Sequence, residues 1–108
     1  MFCWYLYVIK TVDGFLYTGI STDVGRRFRE HLAQGGRTAK FLRIHKPLAV
    51  AFTQAIGDRS LALKVENRFK LLSRKEKERI IKAQCLIFDS ASGCIGMTRR
   101  RAKTPMCF

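Results

Sequence analysis

The sequence predicts an α+β domain: a small three-stranded antiparallel sheet flanked by helices, in the order ββα-β-αα. Three observations predict it. The chain opens with two strand-type runs, Trp4 to Thr11 and Phe15 to Ile20, separated by Asp13-Gly14, a two-residue hairpin signal. A third run, Leu48 to Ala55, stands alone behind Pro47. Between and after these runs the apolar residues change to helical spacing, which places helices against a sheet in one layered unit.

Each element has its own local cause. Trp4 to Thr11 (WYLYVIKT) is aromatic and β-branched, the composition of a half-buried pleated surface. Leu16, Tyr17, Thr18 and Ile20 return as the second strand, broken by Gly19. Ser21, Thr22 and Asp23 are all N-cap residues, so a helix is expected over Asp23 to Ala33. Its apolar seam is Val24, Phe28 and Leu32, with His31 beside it, and Gly35-Gly36 closes it. Arg37 to Lys46 reads as a basic loop or short helix that stops at Pro47. Gly57-Asp58 then starts a helix with Leu61, Val65, Phe69 and Leu72 on one face. Ser73 and Glu76 form a capping-box pattern, which begins another helix running to about Ala83. From Cys85 no period is sustained. Residues 1–84 are therefore read as the domain and 85–108 as a poorly ordered tail, with a short apolar anchor at Leu86-Ile87-Phe88.

With 108 residues, one domain is the default. The formal charge is +13, from 21 Lys+Arg against 8 Asp+Glu, which favours a polyanionic partner. The excess is local: Asp23 to Val50 holds Arg26, Arg27, Arg29, Arg37, Lys40, Arg43 and Lys46 against Asp23 and Glu30, while the opening hairpin holds only Lys10 and Asp13. No apolar run is long enough to span a bilayer. The N-terminus lacks a basic region and cleavage site of the secretory type. Cys3, Cys85, Cys94 and Cys107 match no zinc spacing, so reduced thiols in a cytoplasmic protein are expected.

Tyr5-Leu6-Tyr7, Tyr17-Thr18-Gly19 ten residues on, Arg27, His31 and a later helix carrying Glu66 together resemble the GIY-YIG nuclease domain. The small stand-alone bacterial members are the nearest in pattern. The resemblance spans about residues 4 to 83 and has no counterpart for the tail. It implies metal-dependent hydrolysis of phosphodiesters in nucleic acid, DNA before RNA, with low sequence specificity, and a place in repair or recombination. It implies Tyr7, Tyr17, Arg27, His31 and Glu66 as catalytic residues and Glu66 as the ligand of Mg²⁺ or Mn²⁺. The family's late asparagine has no matching position here.

The side-chain chemistry fits those roles. One carboxylate with waters suits Mg²⁺, which keeps most of its hydration shell. Arg27 offers forked donors to a phosphate. Tyr17 would orient or deprotonate the attacking water, but a phenol with pKa ~10 needs help from the metal, from Arg27 or from a base such as His31. Arg26, Arg29, Arg37, Lys40, Arg43 and Lys70 are the expected nucleic-acid contacts, and Arg99-Arg100-Arg101 a phosphate tether. No obligate protein partner is evident. Taken singly, each residue also has a plain structural reading. The tyrosines can be packing, His31 a core histidine, Arg27 a solvated face, and Glu66 an i,i+4 partner for Lys70. His45 has no nameable partner. A non-catalytic nucleic-acid-binding module on the same fold is the alternative; a membrane-surface protein explains the charge but not the tyrosines.

Overall fold

A computed structural model describes residues 3–96. The elements follow the expected order: β1 Trp4–Thr11, β2 Leu16–Ser21, α1 Val24–Leu32, α2 Lys40–Ile44, β3 Pro47–Gly57, α3 Arg59–Lys70 and α4 Arg74–Ala83. The sheet order is β2-β1-β3, with both pairings antiparallel. The fold is thus a three-stranded antiparallel α+β layer, and the basic stretch before Pro47 contains the short helix α2.

β1 is central because both its faces are apolar. Leu6 and Val8 lie in one buried cluster with Phe52, Val65, Phe69, Leu72 and Ile80, under α3 and α4. Tyr7 and Ile9, one residue out of phase, lie in a second cluster with Leu42 of α2, packed by Val24 and Phe28 of α1. The period of two along β1 therefore assigns alternate residues to opposite helical layers.

Side chains close the helix ends. Asp23 accepts from Arg26 N, Asp58 accepts from Leu61 N, and Ser73 with Glu76 makes the full capping box. The C-terminal ends differ from expectation. The left-handed residues are Gln34 (φ 56°) and Gln84 (φ 54°), not glycines. Each side-chain amide donates to two backbone carbonyls: Gln34 to His31 O and Leu42 O, Gln84 to Ile81 O and Ala51 O. These hydrogen bonds offset the cost of a positive φ on a residue with a Cβ.

One further expectation needs correction. The buried seam of α1 ends on His31, while Leu32 is 48% exposed. At 100° per residue, position 31 falls back over the Val24–Phe28 stripe and position 32 moves past it. Beyond residue 84, Leu86 is buried in the main core with Phe88 packed against it, within the expected apolar anchor; Ile95 is buried there too and pairs with Phe88 in an isolated antiparallel bridge. The Gln54 amide clamps Leu86 in both directions, donating to its carbonyl and accepting from its N–H, each at 2.8 Å. The core thus includes chain on the tail side of the expected boundary. Cys3 and Cys85 are free thiols. Arg99, Arg100, Arg101 and Cys107 lie outside the described residues.

Candidate active site

Tyr7 lies in the middle of β1, paired directly with Gly19 on β2. Its ring turns across Gly19 towards the free edge of β2, where a Cβ on Gly19 would meet it. Tyr17, two residues earlier on β2, presents its ring to the same side, with centroids 6.4 Å from Tyr7 and 5.7 Å from His31.

His31 fixes the polar end of Tyr7. The Tyr7 oxygen and His31 Nε2 are 3.2 Å apart, with both residues buried. On the other side of the ring, Ala39 N–H donates to Nδ1 at 3.3 Å. A backbone N–H can only donate, so Nδ1 carries the lone pair and Nε2 carries the hydrogen. His31 therefore donates to Tyr7, leaving the phenolic hydrogen for another acceptor. Burial, reinforced by the Arg27 charge, pushes the His31 pKa down to about 4, so the ring is neutral near pH 7. Its one lone pair is already engaged. In this arrangement neither ring nitrogen of His31 has a free lone pair, and its N–H is set on the Tyr7 oxygen.

Burial likewise pushes the Tyr7 phenol up to about 12, with Tyr17 and Glu66 adding to the rise and Arg27 opposing it. Tyr17 is raised by burial, opposed by Arg27 and assisted by Glu66. Both phenols are neutral in the resting protein. The same couplings show that the guanidinium of α1 and the carboxylate of α3 act on both hydroxyls. Glu66 belongs to the helix that covers the opposite face of the sheet, but α3 packs against β2, one of the two edge strands. The site wraps around that edge.

Arg27 is anchored through one nitrogen. Nη1 donates to Glu30 Oε1 at 3.0 Å and to Arg37 O at 2.7 Å, and the guanidinium also interacts with the Tyr7 hydroxyl. Glu66 is 13% exposed and forms an ion pair with Lys70, Nζ to Oε2 at 3.3 Å. No group of three or more His, Cys, Asp or Glu able to hold a metal occurs among the described residues. A single half-buried carboxylate fits a hard dication that keeps its waters and takes phosphate oxygens as further ligands.

Of the expected nucleic-acid contacts, Arg26, Arg29, Arg37, Lys40 and Lys70 are exposed. Arg43 is also exposed, but its guanidinium donates to Thr38 O and Gly35 O and so braces the loop between α1 and α2. Sequence reasoning missed three participants. Phe41 stacks on Tyr17 at 6.1 Å and 22°. Lys77 lines the cleft beside Tyr17. His45 does have a partner, Asp13 Oδ2 at 2.6 Å from Nδ1. Nothing in their spacing marks them, since each meets its partner only through sheet and helix packing.

A buried Tyr7 held by a neutral His31 stands beside Tyr17, and the charges of Arg27 and Glu66 act on both phenols. The GIY-YIG catalytic domain matches residues 3–79, and the chain belongs to the GIY-YIG nuclease family, whose members act on nucleic acid. It is 54% identical over 79 residues to a UPF0213 protein from Enterobacter sp. (strain 638), covering 73% of this chain and 76% of that protein. It is 54% identical over 78 residues to the UPF0213 protein YhbQ from Salmonella typhi, covering 72% and 76%. A solution NMR structure of a UPF0213 protein from Bacillus halodurans is 34% identical, covers 76% of this chain and 85% of its own, and has a TM-score of 0.49.

Proposed function

We propose that this protein is a Mg²⁺- or Mn²⁺-dependent endonuclease that hydrolyses phosphodiester bonds in DNA, with low intrinsic sequence specificity, in the cytoplasm and in the service of repair or recombination. What supports this reading is that the charges of Arg27 and Glu66 both act on the Tyr7 and Tyr17 hydroxyls.

The residues divide the work by what each can do. Arg27, braced by Glu30 and the Arg37 carbonyl, presents its remaining donors to the non-bridging oxygens of the scissile phosphate. Tyr17 orients the attacking water. Tyr7, accepting from His31, donates its own hydrogen into the site. Glu66 would hold the divalent ion, which neutralises charge at the phosphate and acidifies water at neutral pH. Lys70 pairs with that carboxylate at 3.3 Å and would have to release it for Glu66 to hold the ion.

The Glu66–Lys70 ion pair also favours a second reading, in which Glu66 is structural and the domain binds nucleic acid without cutting it. Nicking of supercoiled plasmid, with and without Mg²⁺, by wild type and Glu66→Ala separates the two. Mg²⁺-dependent nicking lost in Glu66→Ala supports the enzyme. Binding without cleavage in the wild type supports the module.

A further inference from the structure

The residues assigned above leave one wall of the site without a task. Phe41, on α2, stacks on Tyr17 at 6.1 Å and lies 4.5 Å from His45 and 6.0 Å from Phe15. These rings are not core: Phe15 is 45% exposed and Phe41 36% exposed. A cleft of about 350 Å³ opens beside them, running from Tyr17 and Phe41 to Lys70 and Lys77. The two walls differ in chemistry, one aromatic and one cationic. Lys77 lies over the Phe69 ring at 6.0 Å, and burial, with Arg74 and Lys70 nearby, holds its pKa below the usual lysine value. An anion between Lys70 and Lys77 relieves that mutual repulsion.

We propose that this cleft binds one unpaired nucleotide adjoining the scissile phosphate, its base against Phe41 and its phosphate between Lys70 and Lys77; this rests on the nuclease reading above. A nucleotide is the occupant whose two halves match the two walls: a flat π-face for the ring, a phosphate for the lysines. A lipid chain or apolar peptide would use the aromatic wall and leave Lys77 unanswered, while Lys70 stays on Glu66 at 3.3 Å. The base must be unpaired, because within a duplex both its faces are covered by neighbouring bases and cannot reach a ring in a protein cleft. Tyr17 borders both the cleft and the catalytic cluster, so the nucleotide held there is next to the phosphate being cut.

The test uses the full chain carrying Glu66→Gln, so that the probe is not consumed, and a short single-stranded DNA with 2-aminopurine at one position. Protein binding should quench the 2-aminopurine fluorescence. Adding Phe41→Leu, which keeps apolar bulk without a stacking face, should abolish the quench and weaken binding about tenfold to a hundredfold. Phe41→Tyr should restore both, which separates stacking from a folding defect. Lys77→Ala should weaken binding while leaving the quench at saturation. The same base inside a duplex should show no protein-dependent change. Unchanged 2-aminopurine fluorescence, or a Phe41→Leu protein that binds like its parent, overturns the subsite while leaving Mg²⁺-dependent plasmid nicking to stand. A wild type that cuts nothing, with a Phe41-dependent quench in the test protein, keeps the subsite and removes the endonuclease.

Discussion

A Cβ on Gly19 would lie 2.5 Å from the Tyr7 phenol oxygen and 2.6 Å from its Cζ. The absence of a side chain at Gly19 is what lets Tyr7 cross β2 and reach His31 and the sheet edge. The glycine is needed for close approach rather than for an unusual φ. The spacing between the tyrosine triplets thus has a structural meaning: the register pairs Tyr7 with Gly19, and the one makes room for the other.

Gly19→Ala should move the Tyr7 hydroxyl out of place without dismantling the sheet. A displacement on the order of 1 Å at a reacting group can cost about a hundredfold in rate. Steady-state kcat/KM on a DNA substrate should fall by roughly that factor, while thermal melting shows a folded protein. An alanine variant with wild-type turnover would mean that Tyr7 has no part in the reaction.

His31 makes stability depend on pH in a defined window. Its ordinary pKa is 6.5 and its folded value about 4, so between those values the unfolded chain binds a proton that the folded chain refuses. Stability then rises with pH through the window and is lost as pH falls from 6.5 towards 4. The loss is at most about 3 kcal/mol. Urea melts across this range should show the slope in wild type. His31→Gln, neutral at every pH, should lack this component of it.

Arg27→Lys keeps the charge and loses the fork. DNA affinity should change little, while turnover drops by about tenfold to a thousandfold, the effect of losing one transition-state donor. Single-turnover cleavage together with equilibrium binding makes the separation. Equal losses in both would mark Arg27 as a simple phosphate anchor.

Binding should weaken steeply with salt. Exposed Arg26, Arg29, Arg37, Lys40 and Lys70 can neutralise several phosphates, and each contact contributes a log–log slope of about −0.9 on duplex DNA. Filter binding of the Glu66→Gln protein between low and physiological salt measures it. Replacing Arg26 and Arg29 together by alanine should reduce the slope by roughly two contacts.

The elements themselves were legible because their causes are local. Caps at Asp23, Asp58 and Ser73, the period of two along β1 and the helical spacing of Val65 and Phe69 each act over a few residues. Each appears as expected. The tyrosine triplets, Arg27, His31 and Glu66 stood out for the same reason, as a pattern of types and offsets. What the chain's order does not carry is which groups meet across the fold. His31 became a neutral donor only because Ala39, on the far side of a loop, turned its N–H to Nδ1 and burial excluded water. Asp13 found His45 across 32 residues. Phe41 came to stand against Tyr17, and Ile95 entered a core that local periodicity had ended at α4. Protonation state, stacking and burial are set by distance and solvent exclusion, and those exist only once the sheet and its helices have closed around one another.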